Sequence, residues 1–177
     1  MEQNTQKVAN HPGLRELQRE IAASTRNMSR EQLSAHPDGK WCASEVLEHL
    51  YLTYTGTIKG LNRVLEAGKP LAGRPTLRDR FRIFVVTGVG HLPEGRKAPA
   101  VAIPKGLDAD AVRSGVGTEI ANIDQLLTQC ANQFGAGTRV LDHPILGPLT
   151  VRQWRKFHIV HGRHHLKQIA RLRARQQ

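Results

Sequence analysis

The stretch HIVHGRHHLKQI, residues 158–169, holds four of the nine histidines in the chain, at positions 158, 161, 164 and 165. Either this is a solvated, basic helix that is rich in imidazole by chance, or part of it holds a metal ion. Spacing separates the two readings. On a helix advancing about 100° per residue, with His161 at zero, Trp154 falls at about +20°, His165 at about +40°, Gln168 at about −20° and Leu172 at about +20°. His161 and His165 therefore point to the core side, and His158 and His164 sit on its flanks. Arg152, Arg155, Lys156, Arg163, Lys167 and Arg173 lie more than about 100° away and face solvent. Imidazoles at i and i+4 stand about 5–6 Å apart at Cβ and can converge on one cation through bonds of about 2.0–2.1 Å. The competing reading is a pair of part-buried histidines satisfied by hydrogen bonds. A further ligand from elsewhere in the chain would favour the metal.

His49 is the candidate. It lies in CASEVLEHLYLTYTGTIKGLNRVLEA (42–67), beside an apolar stripe and on a strip of smaller residues. Relative to His49, Cys42 is at about +20°, Thr53 at about +40°, Gly56 at about −20° and Gly60 at about +20°. Such side chains leave space beside the imidazole, although small residues also serve close helix packing. Inward-pointing ligands on facing helices are how bundles assemble metal sites.

The elements that must position these residues are legible in the apolar periodicity. A first helix is predicted over about 12–26, with Leu14, Leu17 and Ile21 on one side. A second covers about 42–67, with Val46, Leu50, Leu61 and Val64 as its stripe, Gly68 as its stop, and Cys42 or Asp38 as its cap with Glu45 in the first turn. Residues 68–109 are rich in Gly, Pro and basic side chains. They read as an irregular crossover with one short helix near 76–86, long enough to cover one end of a site. The third helix, about 108–134, repeats Val116, Ile120, Ile123, Leu127, Cys130 and Phe134 at steps of four and three. The fourth starts after Thr150, with Gln153 as capping-box partner and Leu149 and Trp154 at the staple positions, and runs to about 174. No strand signal of comparable length is present. The expected fold is all-α: a single domain over 1–177, a four-helix bundle with its long crossover between helices 2 and 3.

The start MEQNTQKVANHPGLRELQRE lacks the apolar core of a signal peptide, and no run approaches the 18 or so apolar residues of a membrane span. A cytoplasmic protein is expected. Cys42 and Cys130 form no CxxC or disulfide framework, and neither a G-x-S-x-G elbow nor a Walker-type phosphate loop occurs. The net charge of +11 is uneven: residues 1–68 balance at zero, 69–105 carry +6, 106–150 carry −3 and 151–177 carry +8. Most of that last excess is the outer side of the histidine helix.

The phrases WCASEVLEHL (41–50) and HPILGPLTVRQWRKFHIVHGRHHLKQI (143–169) together resemble the DinB/YfiT-like superfamily of metal-dependent bundle proteins, through a late EHL and an HxxHHxxQI. The resemblance implies a four-helix bundle carrying a divalent metal ion, usually nickel or zinc, on three histidines, here His49, His161 and His165. It gives no role to His158 and His164, and it places Cys42 where a serine-like cap is expected. Members with known activity include thiol-dependent transferases and isomerases.

Two functions follow as expectations. In one, a three-histidine metal enzyme transfers a low-molecular-weight thiol or performs a metal-assisted hydrolysis. Gln168, Trp154 and Thr53 then line the pocket or steady the ligands, and Arg78, Arg80, Arg82 and Lys97 attract an anionic thiol substrate. In the other, a non-enzymatic metal-stabilised bundle or stress-response scaffold binds an acidic partner. A small-molecule substrate and a second copy in a homodimer are the expected partners, with no membrane and no specific nucleic acid, because the basic face has no interleaved aromatic residues. Binding to a short DNA duplex should accordingly be weak and lose orders of magnitude by about 200 mM salt. Tight binding that survives such salt in a filter-binding assay would contradict this.

Overall fold

The computed structural model describes residues 11–37, 39–93, 95 and 97–175. Four long helices dominate: α1 (Pro12–Ser24), α3 (Ala43–Glu66), α5 (Ala109–Phe134) and α6 (Val151–Ala174), with the short α2 (Arg30–Ser34) between the first two and α4 (Leu77–Ile83) in the crossover. The predicted stripes are the buried ones, except that Phe134 at the end of the α5 stripe is only partly buried. Leu14, Leu17 and Ile21 of α1, Val46, Leu50, Leu61 and Val64 of α3, and Val116, Ile120, Ile123, Leu127 and Cys130 of α5 join Trp154, Ile169 and Leu172 of α6 in one cluster. The helix α3 packs most extensively against α5, and α1 lies against both α5 and α6.

Local chemistry sets the ends. Thr150 accepts a hydrogen bond from Gln153 N, and the Gln153 side chain accepts one from Thr150 N, closing the expected capping box. At α3, Cys42 is the N-cap and its N–H donates to Glu45 Oε2 at 2.9 Å. The alternative cap Asp38 lies outside the described residues. Gly68 follows α3 with a φ of 62°, as a helix stop requires. Both cysteines are buried and unbridged.

The molecule is mostly helical, but the all-α expectation needs one correction. Residues 139–150 form an antiparallel hairpin, β1 (Arg139–His143) with β2 (Gly147–Thr150), irregular in register between Arg139 and Leu141. Strands of five and four residues are too short to give a period-two signal. Helix α2 escaped notice for the same reason, since its capping box of Ser29 and Gln32 encloses only five residues. The hairpin explains part of the small-residue strip on α3: a Cβ at Gly60 would collide with Leu141 Cδ2, so glycine lets β1 close onto the helix. At Gly56 a Cβ would meet nothing, because that side opens into a cavity.

The crossover contains the predicted short helix, extended beyond 86. From α4 the chain continues as a π-helical turn, Phe84–Val89, ending at Gly90 with a φ of 78°. A single 3₁₀ turn, Ala100–Ala102, follows before α5. Among the described residues no helix is long and apolar enough to cross a membrane.

Because Thr150 both ends β2 and caps α6, Thr150→Ala should lower unfolding stability by about 1 kcal/mol. Urea denaturation measures this; an unchanged midpoint would mean that the hairpin alone holds the start of α6.

Candidate metal centre

His49 from the middle of α3 and His161 and His165 from α6 come together despite their separation in sequence. Their exposures are 4%, 7% and 7%. The Nε2 of His161 stands 3.1 Å from His49 Nε2 and 3.2 Å from His165 Nε2, and the three ligand atoms all lie within 4.8 Å of one another. Metal bonds of about 2.0–2.1 Å at angles between about 90° and 109° place neighbouring ligand nitrogens about 2.8–3.4 Å apart. The two short separations fall inside that range, so the group can hold a metal ion.

Two partners on the far side of the rings decide which nitrogen faces inward. His49 Nδ1–H donates to the carbonyl of Ala102 at 2.7 Å, and His165 Nδ1–H donates to Gln168 Oε1 at 3.0 Å. A neutral imidazole with its proton on Nδ1 has its lone pair on Nε2. Both rings therefore present lone pairs to the centre. The single Nε2 proton that His161 can carry would satisfy only one of them, whereas one cation satisfies all three. The Nδ1 of His161 is buried with no hydrogen-bond partner among the described residues, and Phe157 stacks on that ring at 5.2 Å.

The electrostatics keep the rings neutral. Burial, followed by the nearness of His165 and His49, holds His161 well below its ordinary range. Burial, with His49 next, lowers His165 to about 3. For His49 burial is again the main cause of a downward shift, opposed by the hydrogen bond to Ala102. Neutral imidazole is the form that binds metal.

Glu48, beside His49, had no role in the sequence reading and proves central. It is 2% exposed, and its carboxylate accepts hydrogen bonds from the backbone N–H groups of Lys105, Gly106 and Leu107. With His49 holding Ala102, α3 grips residues 102–107 at two adjacent positions and fixes the end of the crossover beside the histidines. The only hint in sequence is a carboxylate inside the apolar run EVLEHL.

The other expected residues fall as follows. Gln168, Trp154 and Thr53 all line a cavity of about 1000 Å³ onto which the three histidines open. Trp154 Nε1–H donates to the carbonyl of Leu141, tying α6 to β1, and Thr53 Oγ1–H donates to the carbonyl of His49. Arg82 and Lys97 reach the cavity wall, and Arg78 and Arg80 do not line it. His164 lines the cavity without joining the ligand group. His158, placed on a flank by angle, is 1% exposed and packs against Tyr54 and Trp154. A second group, His36, Cys42 and Glu45, also clusters. There Glu45 already caps α3 and its Oε2 lies 2.9 Å from His36 Nε2, so helix capping and a side-chain polar contact account for it.

Burial lowers His158 to about 3 and His143 to about 4, against about 6.5 in an unfolded chain. Folded-state values below the unfolded one give stability that is present above about pH 6.5 and is lost as pH falls toward the folded values. Between pH 7.5 and 5.5, His158 alone should remove on the order of 1 kcal/mol from the metal-free protein. Urea midpoints at the two pH values measure this, and His158→Gln should flatten the dependence; equal slopes in both proteins would contradict the assignment.

Neither a search of curated proteins nor one of solved structures returned a match. Residues 13–172 match the family described as Protein of unknown function (DUF1569), a span that runs from the second residue of α1 into the last turn of α6 and includes the crossover and every histidine of the centre. The chain belongs to that family.

Proposed function

We propose that the three histidines bind one divalent metal ion, nickel or zinc, and that the protein is a metal-dependent enzyme acting on a small molecule in the adjoining cavity. In this reading the four long helices form a DinB-like four-helix bundle, and the reaction is transfer of a low-molecular-weight thiol or a hydrolysis. The observation that carries it is the pair of outer hydrogen bonds, from His49 to Ala102 and from His165 to Gln168, which turn two buried Nε2 lone pairs toward a third.

The cavity favours an enzyme over a scaffold. Structural metal sites are closed by protein ligands, whereas reactive ones keep a position open. Here the histidines open onto about 1000 Å³ of space walled by Trp41, Val86, Leu141 and Phe157. When bound, a divalent ion would supply Lewis acidity that brings the pKa of a water or thiol toward neutrality. The chain's own groups do the rest. Ala102 O and Gln168 Oε1 keep the Nδ1 protons in place, the aromatic and aliphatic walls exclude water, and Arg82 and Lys97 draw an anionic substrate inward.

Protein purified without an affinity tag should take up one equivalent of nickel or zinc, and His161→Ala should abolish uptake while circular dichroism remains helical. Gln168→Leu should weaken affinity about 10–100-fold through loss of the His165 partner. Uptake that survives His161→Ala would refute the site. Metal binding without transfer of any of several thiols, and without hydrolysis, would leave a scaffold.

A further inference from the structure

A second cleft, of about 600 Å³, adjoins the histidine cavity and shares Lys40, Trp41, Gly95, His164 and Gln168 with it. Its remaining walls include Arg171 of α6 and Arg175, the C-cap just past that helix. His164, Gln168, Arg171 and Arg175 follow one another at steps of four, three and four. With His161 at zero they lie at about −60°, −20°, −80° and −40°, a single stripe running from the ligand face to the helix end.

We infer that this basic cleft is an oxyanion subsite, taking the carboxylate or phosphate of a small molecule whose other end reaches the three histidines. The inference rests on reading the histidine cavity as the reaction site, and it adds to that reading the position and chemistry of the substrate's anionic end. Basic residues around the last turn of α6 also complement the helix dipole. That role is served at any angle, however, and calls neither for a stripe facing the cleft nor for Lys40 arriving from the segment before α3. Gln168 joins the two spaces: its Oε1 accepts from His165, which leaves its amide N–H groups as donors for a ligand lying across it. Arginine forks suit carboxylate and phosphate geometry. Among the described residues the wider cavity has one carboxylate in its lining, Asp142, and that accepts a hydrogen bond from Gly73 N. At about 1.5 Å of rise per residue, Arg171 in α6 and Arg175 at its C-cap stand about 9 and 15 Å beyond His165 along the helix axis. The ligand is therefore elongated, with an apolar or thiol-bearing end at the histidines and a charged end at the helix terminus.

Three probes of matched length test this by calorimetry on metal-free and zinc-loaded protein: ω-mercaptooctanoate, ω-mercaptooctyl phosphate and neutral ω-mercaptooctanol. At least one anionic probe should bind about tenfold more tightly than the alcohol, a preference that shrinks with added salt. The combined variant Lys40→Gln, Arg171→Gln, Arg175→Gln, all exposed positions, should bring the three probes within about twofold. Which anion gains more identifies the oxyanion. No preference for either anion in the parent protein would overturn the inference, as would a preference retained in the variant. Zinc failing to bind while the anion preference persists would instead refute the metal reading and leave the subsite standing.

Discussion

The hydrogen bond from His49 Nδ1 to the carbonyl of Ala102 is the contact on which the site depends. It fixes the proton on the outer nitrogen and turns the Nε2 lone pair of His49 inward. It also ties the 3₁₀ turn of the crossover to the middle of α3. One residue earlier, Glu48 takes three backbone N–H groups of residues 105–107. A buried carboxylate is tolerated only when such donors satisfy it. The irregular segment between α4 and α5 is thus held at its end by two adjacent side chains, and the same anchoring that orients a ligand helps build the cavity wall.

From that anchor the rest of the centre follows by helix geometry. His161 and His165 are one turn apart on α6, and Gln168, a further three residues on, accepts a hydrogen bond from the outer N–H of His165. Burial disfavours the imidazolium form of all three rings. Three neutral nitrogens facing one another cannot all be satisfied by the protons they carry, which is the electrostatic reason that the cluster suits a cation. The hairpin β1–β2 and Trp154 complete the enclosure, and the crossover is tied to that hairpin by Leu71 N–H donating to the carbonyl of Val140 and Gly73 N–H to Asp142 Oδ1.

How much of this was legible in the sequence depended on the range of the interaction. The 3.6-residue period on α6 separates His161 and His165 from the outward arginines, and the small residues around His49 single out α3, because both signals repeat over several turns. Thr150 and Gln153 are legible because a capping box is local. The hairpin, α2 and the role of Glu48 were not. The first two are shorter than any period, and Glu48 bonds to residues more than fifty positions away whose backbone N–H groups carry no sequence signature. The depth of His158 was missed because an angle of about 60° from the core direction does not say how thick the neighbouring layer is. Here Tyr54 and Trp154 enclose it.

The most direct test of the centre is the tautomeric state of its histidines, read from imidazole nitrogen chemical shifts in ¹⁵N-labelled, metal-free protein at neutral pH. His49 and His165 should each carry their proton on Nδ1, and adding zinc should move the Nε2 resonances of His49, His161 and His165 while leaving those of His158 and His164 in place. A proton on Nε2 of both His49 and His165, or a zinc response at His158 or His164 instead, would contradict a metal centre built on these three nitrogens.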